Sequence, residues 1–169
     1  MVQFATLAFF PMLMVWAAVS DLMTMTISNR ISLALLALFL LMAMVTGLSL
    51  HAIGMHLACG ALVLAITFTM FALGWIGGGD AKLAAATAIW VGFSEIMAYA
   101  VVAAVFGGAL TLLLLQLRRL PLPETLGRQA WIARLHNPQT GIPYGIALAA
   151  AGLFIYPETQ IWIASLRHL

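Results

Sequence analysis

Charge is what this chain has least of. Of its 169 residues only 7% are charged, while 64% are hydrophobic; a soluble domain carries about 25% charged residues. There is too little polar surface here to solvate a globule, so the medium is lipid and the chain reads as an integral membrane protein. Seven basic residues and a net charge of +2 give no footing for nucleic acid. They are better read as markers of topology.

Cysteine is scarcer still. Cys59 stands alone, which excludes a disulfide framework and a cysteine-based metal site. In its apolar surroundings it reads as a small buried residue. No His/Cys ligand cluster is visible, so neither a metal nor another cofactor is expected. Lys and Arg are missing before Arg30. The opening apolar run therefore lacks the positive n-region of a secretory signal and reads as a retained first span. Repeats, low-complexity tracts and a second domain are missing too, so residues 1–169 read as one transmembrane domain.

What the chain does have is apolar length. Runs at about 3–20, 31–49, 55–75, 82–93, 95–117 and 143–165 predict an all-α polytopic membrane protein of about six transmembrane helices. The fourth run, "LAAATAIWVGF", is short and alanine-rich, which predicts a helix packed among the others rather than facing lipid. With six segments, one side holds Arg30, Lys82, Arg118, Arg119, Arg128 and Arg134, and only Arg167 falls on the other. That asymmetry makes the basic side cytoplasmic and both termini external. The longest polar connection, about 118–142, is broken by Pro121, Pro123, Gly127, Pro138 and Gly141. It predicts a cytoplasmic loop with a short amphipathic helix around 124–135 that rests Trp131, Ile132 and Leu135 against the membrane surface.

Five residues are acidic. Glu124 lies in the loop, and Glu95 and Glu158 lie at or beyond outer ends of spans; these read as solvated or interfacial carboxylates. Asp21 and Asp80 differ. Each directly follows an apolar run, so both belong at one depth near the cytoplasmic boundary, where ionisable groups are costly and mark function. Ahead of Asp80, in "WIGGGDAKL" (75–83), stand Gly77, Gly78 and Gly79. Glycine costs a helix interior about 1 kcal/mol relative to alanine, so three in succession loosen the helix. The backbone groups they expose are tolerable at membrane depth only where they line a wet or protein-enclosed cavity. A phosphate cradle is a poor fit, because the carboxylate after the glycines repels phosphate and the Walker pattern is absent.

Two carboxylates near one water are the equipment for peptide hydrolysis. One takes a proton from the water as it attacks the carbonyl; the other donates to the carbonyl oxygen and then helps the amine leave. At about 3 Å the two cannot both ionise cheaply, so they share a proton and titrate as a pair. The rival from another class is a proton-coupled transporter component in which Asp21 and Asp80 relay protons. An inverted repeat would mark such a protein, and the sequence has none.

Three stretches carry a family resemblance: "SDLMTMTISNR" (20–30), "GWIGGGDAKLAAA" (74–86) and "GIPYGIALAAAGL" (141–153). They resemble the bacterial type IV prepilin leader peptidases, more narrowly the short form that accompanies tight-adherence (Flp-type) pili, over all six segments in order and spacing. The resemblance implies a membrane aspartic endopeptidase bundle of the bacterial inner membrane, active near the cytoplasmic face. Its partners would be membrane lipid and a prepilin or pseudopilin substrate, a short basic leader followed by a long apolar helix. Asp21 and Asp80 match the catalytic aspartates, Gly77 and Gly79 match the Gly-x-Gly, and Lys82 matches the usual lysine two residues after the aspartate. Asn29 matches the asparagine of the first motif.

Some of these residues carry a second reading. Asn29 and Arg30 also read as a helix start and a positive anchor. Lys82 also reads as a snorkelling boundary lysine, or else as a residue that tunes the aspartates or holds an acidic group of the substrate. Pro143, Tyr144 and Gly145 also suit the first turn of the last helix. The family commonly has Ile-Pro-Asn where this chain has Ile27-Ser28-Asn29, which leaves that turn less rigid. Longer members carry a cytoplasmic cysteine tetrad and methylate the new N-terminus; with one cysteine, this chain is expected to be a peptidase only.

Overall fold

The computed structural model describes the backbone of residues 2–166 and the side chains of residues 8–166. Arg167, the basic residue expected on the external side, lies outside them. The described chain is built of α1 (Val2–Thr24), α2 (Asn29–Val45), α3 (Leu50–Ala72), α4 (Gly78–Leu117), α5 (Glu124–Gly127), α6 (Ala130–His136), α7 (Tyr144–Ile155), a 3₁₀ turn (Tyr156–Glu158) and α8 (Gln160–Leu166). The protein is an all-α membrane protein, as its composition predicts. By length and composition α3 and α4 are long and apolar enough to cross a membrane. Tyr144–Leu166 makes a third span if its two helices, bent by 45°, are taken together. Ala8–Thr24 and Asn29–Val45 are shorter apolar helices.

Each of the six apolar runs is largely helical, though those at 31–49, 55–75 and 143–165 overrun the ends of their helices; two of the six lie inside α4. That element is broken at Gly92, where φ is 72° and ψ is 176°. Only glycine adopts this backbone routinely. The break turns the chain back on itself. A straight helix would place Asp80 and Gly107 about 40 Å apart. Instead Tyr144 packs against Gly107, while its neighbour Gly145 hydrogen-bonds Asp21 in the same cavity as Asp80. His56 of α3 sits beneath the break, and its Nδ1–H donates to the Ile89 carbonyl at 2.7 Å. Nε2 meets the Gln160 side chain at 3.3 Å.

The first arm of α4 is the centre of the bundle. Leu83, Ala84, Ala85, Ala86, Ala88, Trp90 and Val91 are all buried, so the alanine-rich run is the packed helix that its composition predicts. Lipid tails are as apolar as leucine, so close packing rather than hydrophobicity holds such helices together. Small residues do that work on α7, where Ala147, Ala149, Ala151 and Gly152 are buried. Cys59 is buried as well. Away from the aspartates, Phe10, Trp90 and Tyr156 form an aromatic cluster, with Phe10 stacked on Tyr156 at 4.4 Å. The buried indole of Trp90 donates to the Leu35 carbonyl at 3.0 Å, which removes the cost of an unpaired N–H in an apolar interior.

The 118–142 connection differs from its expected form. In place of one helix around 124–135 there are two short ones, α5 and α6, separated at Arg128 and Gln129. Trp131, Ile132 and Leu135 line an apolar pocket of about 480 Å³ shared with Leu114, Leu117 and the Leu120–Leu126 stretch. The guanidinium of Arg118 fastens this connection by donating to the carbonyls of Leu135 and Gly141 at 2.8 and 2.9 Å. Arg134 donates to the Met23 carbonyl at 2.9 Å, so α6 is tied to the end of α1 beside Asp21.

Candidate active site

Asp21 lies in the last turn of α1. The helix ends at Met25, whose φ of 56° is the left-handed conformation that closes helices, usually on glycine. Side chains hold the turn in place. Ser20 Oγ donates to the Thr26 carbonyl at 2.8 Å, and Thr24 Oγ1 donates to the Ser20 carbonyl at 2.7 Å. Beyond it Ser28 caps α2, accepting from the Arg30 amide. Its φ of −65° is a value that a proline ring would also allow. Asp21 is 5% exposed, and its Oδ2 accepts the Gly145 backbone N–H at 2.8 Å.

Asp80 lies in the first turn of α4, with Gly77 as N-cap. A carboxylate there sits among amide groups that lack intrahelical partners and interacts favourably with them. Each glycine before it is held against something different. A β-carbon at Gly77 would lie 2.9 Å from Asp80 Oδ2, one at Gly78 3.2 Å from the Phe71 ring, and one at Gly79 3.2 Å from Ile27 Cβ and 3.3 Å from Ile27 N. Gly79 thus lets α4 rest directly on the backbone of the turn after Asp21.

Asp21 and Asp80 line one cavity of about 320 Å³, together with residues 25–27 and 77–79. That is room for several waters or a short stretch of extended peptide, given about 30 Å³ per water. Among the described residues no group of three or more His, Cys, Asp and Glu side chains is placed to hold a metal ion. Of the expected site residues, the cavity gathers Asp21, Asp80, Gly77, Gly78 and Gly79. It does not gather Lys82 and Asn29, which bond each other, Nζ to Oδ1, at 2.8 Å and line a neighbouring groove. Met25, Thr26, Ile27 and Gly145 join the site without having been singled out for it. The late Pro-Tyr-Gly was the available signal for Gly145.

The family model described as the type IV leader peptidase family matches residues 8–112, more than half of the chain. The chain belongs to the type IV leader peptidase family. It matches none of the curated proteins and none of the solved structures with which it was compared. Membership makes it a peptidase, a hydrolase. In this leader peptidase the matched stretch contains both aspartates and the glycine triplet but stops before α7, which supplies the Gly145 contact to Asp21.

Proposed function

We propose that this leader peptidase is an aspartic endopeptidase that removes the N-terminal leader from type IV prepilins of the Flp, tight-adherence class, at the cytoplasmic face of the bacterial inner membrane. The observation that carries the reading is that two carboxylates from separate helices, Asp21 and Asp80, open into one cavity of about 320 Å³. In the reaction one carboxylate takes a proton from water as the water oxygen bonds to the scissile carbonyl carbon. The other carboxyl gives its proton to the carbonyl oxygen. The tetrahedral adduct then collapses: the C–N bond breaks, the amine nitrogen takes the proton held by the first carboxyl, a hydroxyl of the adduct returns its proton to the second, and the new carboxyl group leaves.

The chain's own backbone supports this assignment. Gly145 N–H fixes one oxygen of Asp21, and the first amides of α4, free of helical partners, line the space where an extended substrate would lie. The face assignment is supported by charge: Arg30, Lys82, Arg118 and Arg134 fall at the end of the bundle that holds the two aspartates. The test is purified protein in detergent mixed with a Flp-type prepilin from the same genome, with cleavage read by mass. Release of the leader at a single bond is the expected result. An intact precursor in the presence of folded peptidase would overturn the reading.

A further inference from the structure

Two arginines stand side by side at the end of α4. Arg119 is exposed, whereas Arg118 turns its guanidinium onto the 118–142 connection. Its Nε donates to the Leu135 carbonyl at 2.8 Å. Its Nη2 donates to the carbonyls of Thr140 and Gly141 at 3.2 and 2.9 Å, and lies 3.4 Å from the Thr140 hydroxyl. Leu135 belongs to the last turn of α6, so one side chain closes the end of that helix and also holds the segment that follows. The segment is short. Gly141, Ile142 and Pro143 have no secondary structure, and Tyr144 begins α7. Pro143 is fully buried, and its ring fixes φ, here at −73°. The path from Gly141 to Gly145 is thus brief and stiff, at most about 14 Å of chain with one of its residues locked.

We infer that Arg118 is a positioning residue for the peptidase: by holding Thr140 and Gly141 it sets where α7 begins, and so where the Gly145 N–H meets Asp21. This rests on the proposed aspartic peptidase reading, and it adds a residue that lies outside the stretch matched by the family model. A positive charge at a cytoplasmic helix end is the simpler account of an arginine, but that account asks nothing of the direction in which the guanidinium points. Here Nε and Nη2, which form one edge of the fork, are both spent on backbone carbonyls. Bonds from an ionised donor are roughly twice as strong as neutral ones, and the rigid fork aims them as a lysine ammonium does not. The rest of the connection has fastenings of its own. Arg134 donates to the Met23 carbonyl, and the Thr140 hydroxyl donates to the carbonyls of Arg134 and Asn137. Loss of the Arg118 bonds therefore leaves α6 tied to α1 and frees chiefly the approach to α7. The face that α7 buries is made of small residues, Ala147, Ala149, Ala151 and Gly152. Such a face lets helices approach closely but offers few projecting side chains to fix height along the axis. A shift of about 1 Å at a reacting group costs roughly 100-fold in rate.

The test compares Arg118→Lys with Arg119→Ala in the full-length protein in detergent. The first keeps the positive charge and loses the fork; the second removes a charge from the same helix end. Two quantities are read: hydrogen–deuterium exchange at the Gly145 amide, and the kinetics of cleavage of a Flp-type prepilin from the same genome. In Arg118→Lys the Gly145 amide is expected to exchange about tenfold faster, and kcat to fall about tenfold with KM changed by less than about twofold. Arg119→Ala is expected to leave both quantities within about twofold of the unaltered enzyme. In a Gly145→Ala background, where a β-carbon would lie 2.8 Å from Asp21 Oδ2, Arg118→Lys is expected to lower kcat by less than about a further twofold, because residues that act through one contact do not add. Unchanged exchange at Gly145 in Arg118→Lys, equal effects from the two arginine variants, or a second full loss in the Gly145→Ala background would overturn the inference. Exchange needs no substrate, which separates the two readings. If the unaltered enzyme cleaves and Gly145 is unmoved in Arg118→Lys, the role of Arg118 falls and the peptidase reading stands. If the unaltered enzyme leaves the precursor intact, the peptidase reading falls, and the hold of Arg118 on Gly145 stands or falls on exchange alone.

Discussion

Gly145 reaches across 124 residues of sequence to donate its backbone N–H to Asp21 Oδ2 at 2.8 Å. A β-carbon at position 145 would lie 2.6 Å from Ile27 Cδ1 and 2.8 Å from that same oxygen. Gly145→Ala is therefore expected to displace Asp21. Overpacking a buried site costs about 1–3 kcal/mol, and misplacing a catalytic group by about 1 Å costs roughly 100-fold in rate. A cleavage rate down about 100-fold, with a lowered thermal midpoint, is the expected outcome. Wild-type turnover would detach α7 from the chemistry.

Asp21→Asn and Asp80→Asn are each expected to remove cleavage, because neither carboxyl can serve as acid and base alone. General acid–base catalysis alone is worth about 10² to 10⁴ in rate, so each loss should be at least about 10²-fold in the mass assay. Circular dichroism should show an unchanged helical signal. Full activity in either variant would refute the assignment of the pair.

The glycine triplet makes a contrast with a glycine that touches nothing. Gly79→Val puts bulk against the Ile27 backbone, which cannot swing aside as a side chain would. Cleavage should stop with both aspartates intact. Gly54, in α3, has open space around it: a β-carbon there would meet nothing within 4 Å. Gly54→Ala should leave cleavage unchanged and add up to about 1 kcal/mol of helix stability. If both variants behave alike, the triplet is only a loose helix end.

Gly92→Ala combines two penalties. A φ of 72° is costly for any residue with a β-carbon, about 1–2 kcal/mol, and that carbon would meet His56 Cε1 at 2.7 Å. The expected loss is at least about 2 kcal/mol, read as a lowered unfolding midpoint in detergent. A midpoint equal to wild type would mean that the turn at position 92 is not a constraint.

A reporter fused after Arg128 should read cytoplasmic and one at the C-terminus external, since the basic residues of the described chain gather at the aspartate end. A cytoplasmic C-terminus would point to an error in the count of spans around the Gly92 break.

The sequence announced the helices and the pair of aspartates because both are written in composition. Long apolar runs have one stable form in lipid, and a carboxylate at the end of such a run is conspicuous. The break within α4 was visible as a shortened run around residues 82–93, though the residue that makes it, Gly92, and the histidine that fills it were not. His56 lies 33 residues from the carbonyl it caps, and only packing relates them. Lys82 was legible as a polar residue beside Asp80 but not as Asn29's partner. Two residues along a helix turn a side chain by about 200°, so nearness in sequence to Asp80 directs Lys82 elsewhere. The 124–135 stretch read as one amphipathic helix because its apolar spacing continues across Arg128 and Gln129, where the backbone does not.

The contact between His56 and Gly92 also sets a phase. The arm of α4 from Asp80 to Gly92 is fastened at its far end by the His56–Ile89 bond and carries the Asp80 carboxylate, which lines the cavity, at its near end. Adding or removing one residue between them would rotate Asp80 by about 100° around the helix axis, away from Asp21, without altering any residue that touches the cavity. The alanine-rich arm is thus held to a fixed count, and length along it is as much a part of the site as the carboxylate it carries.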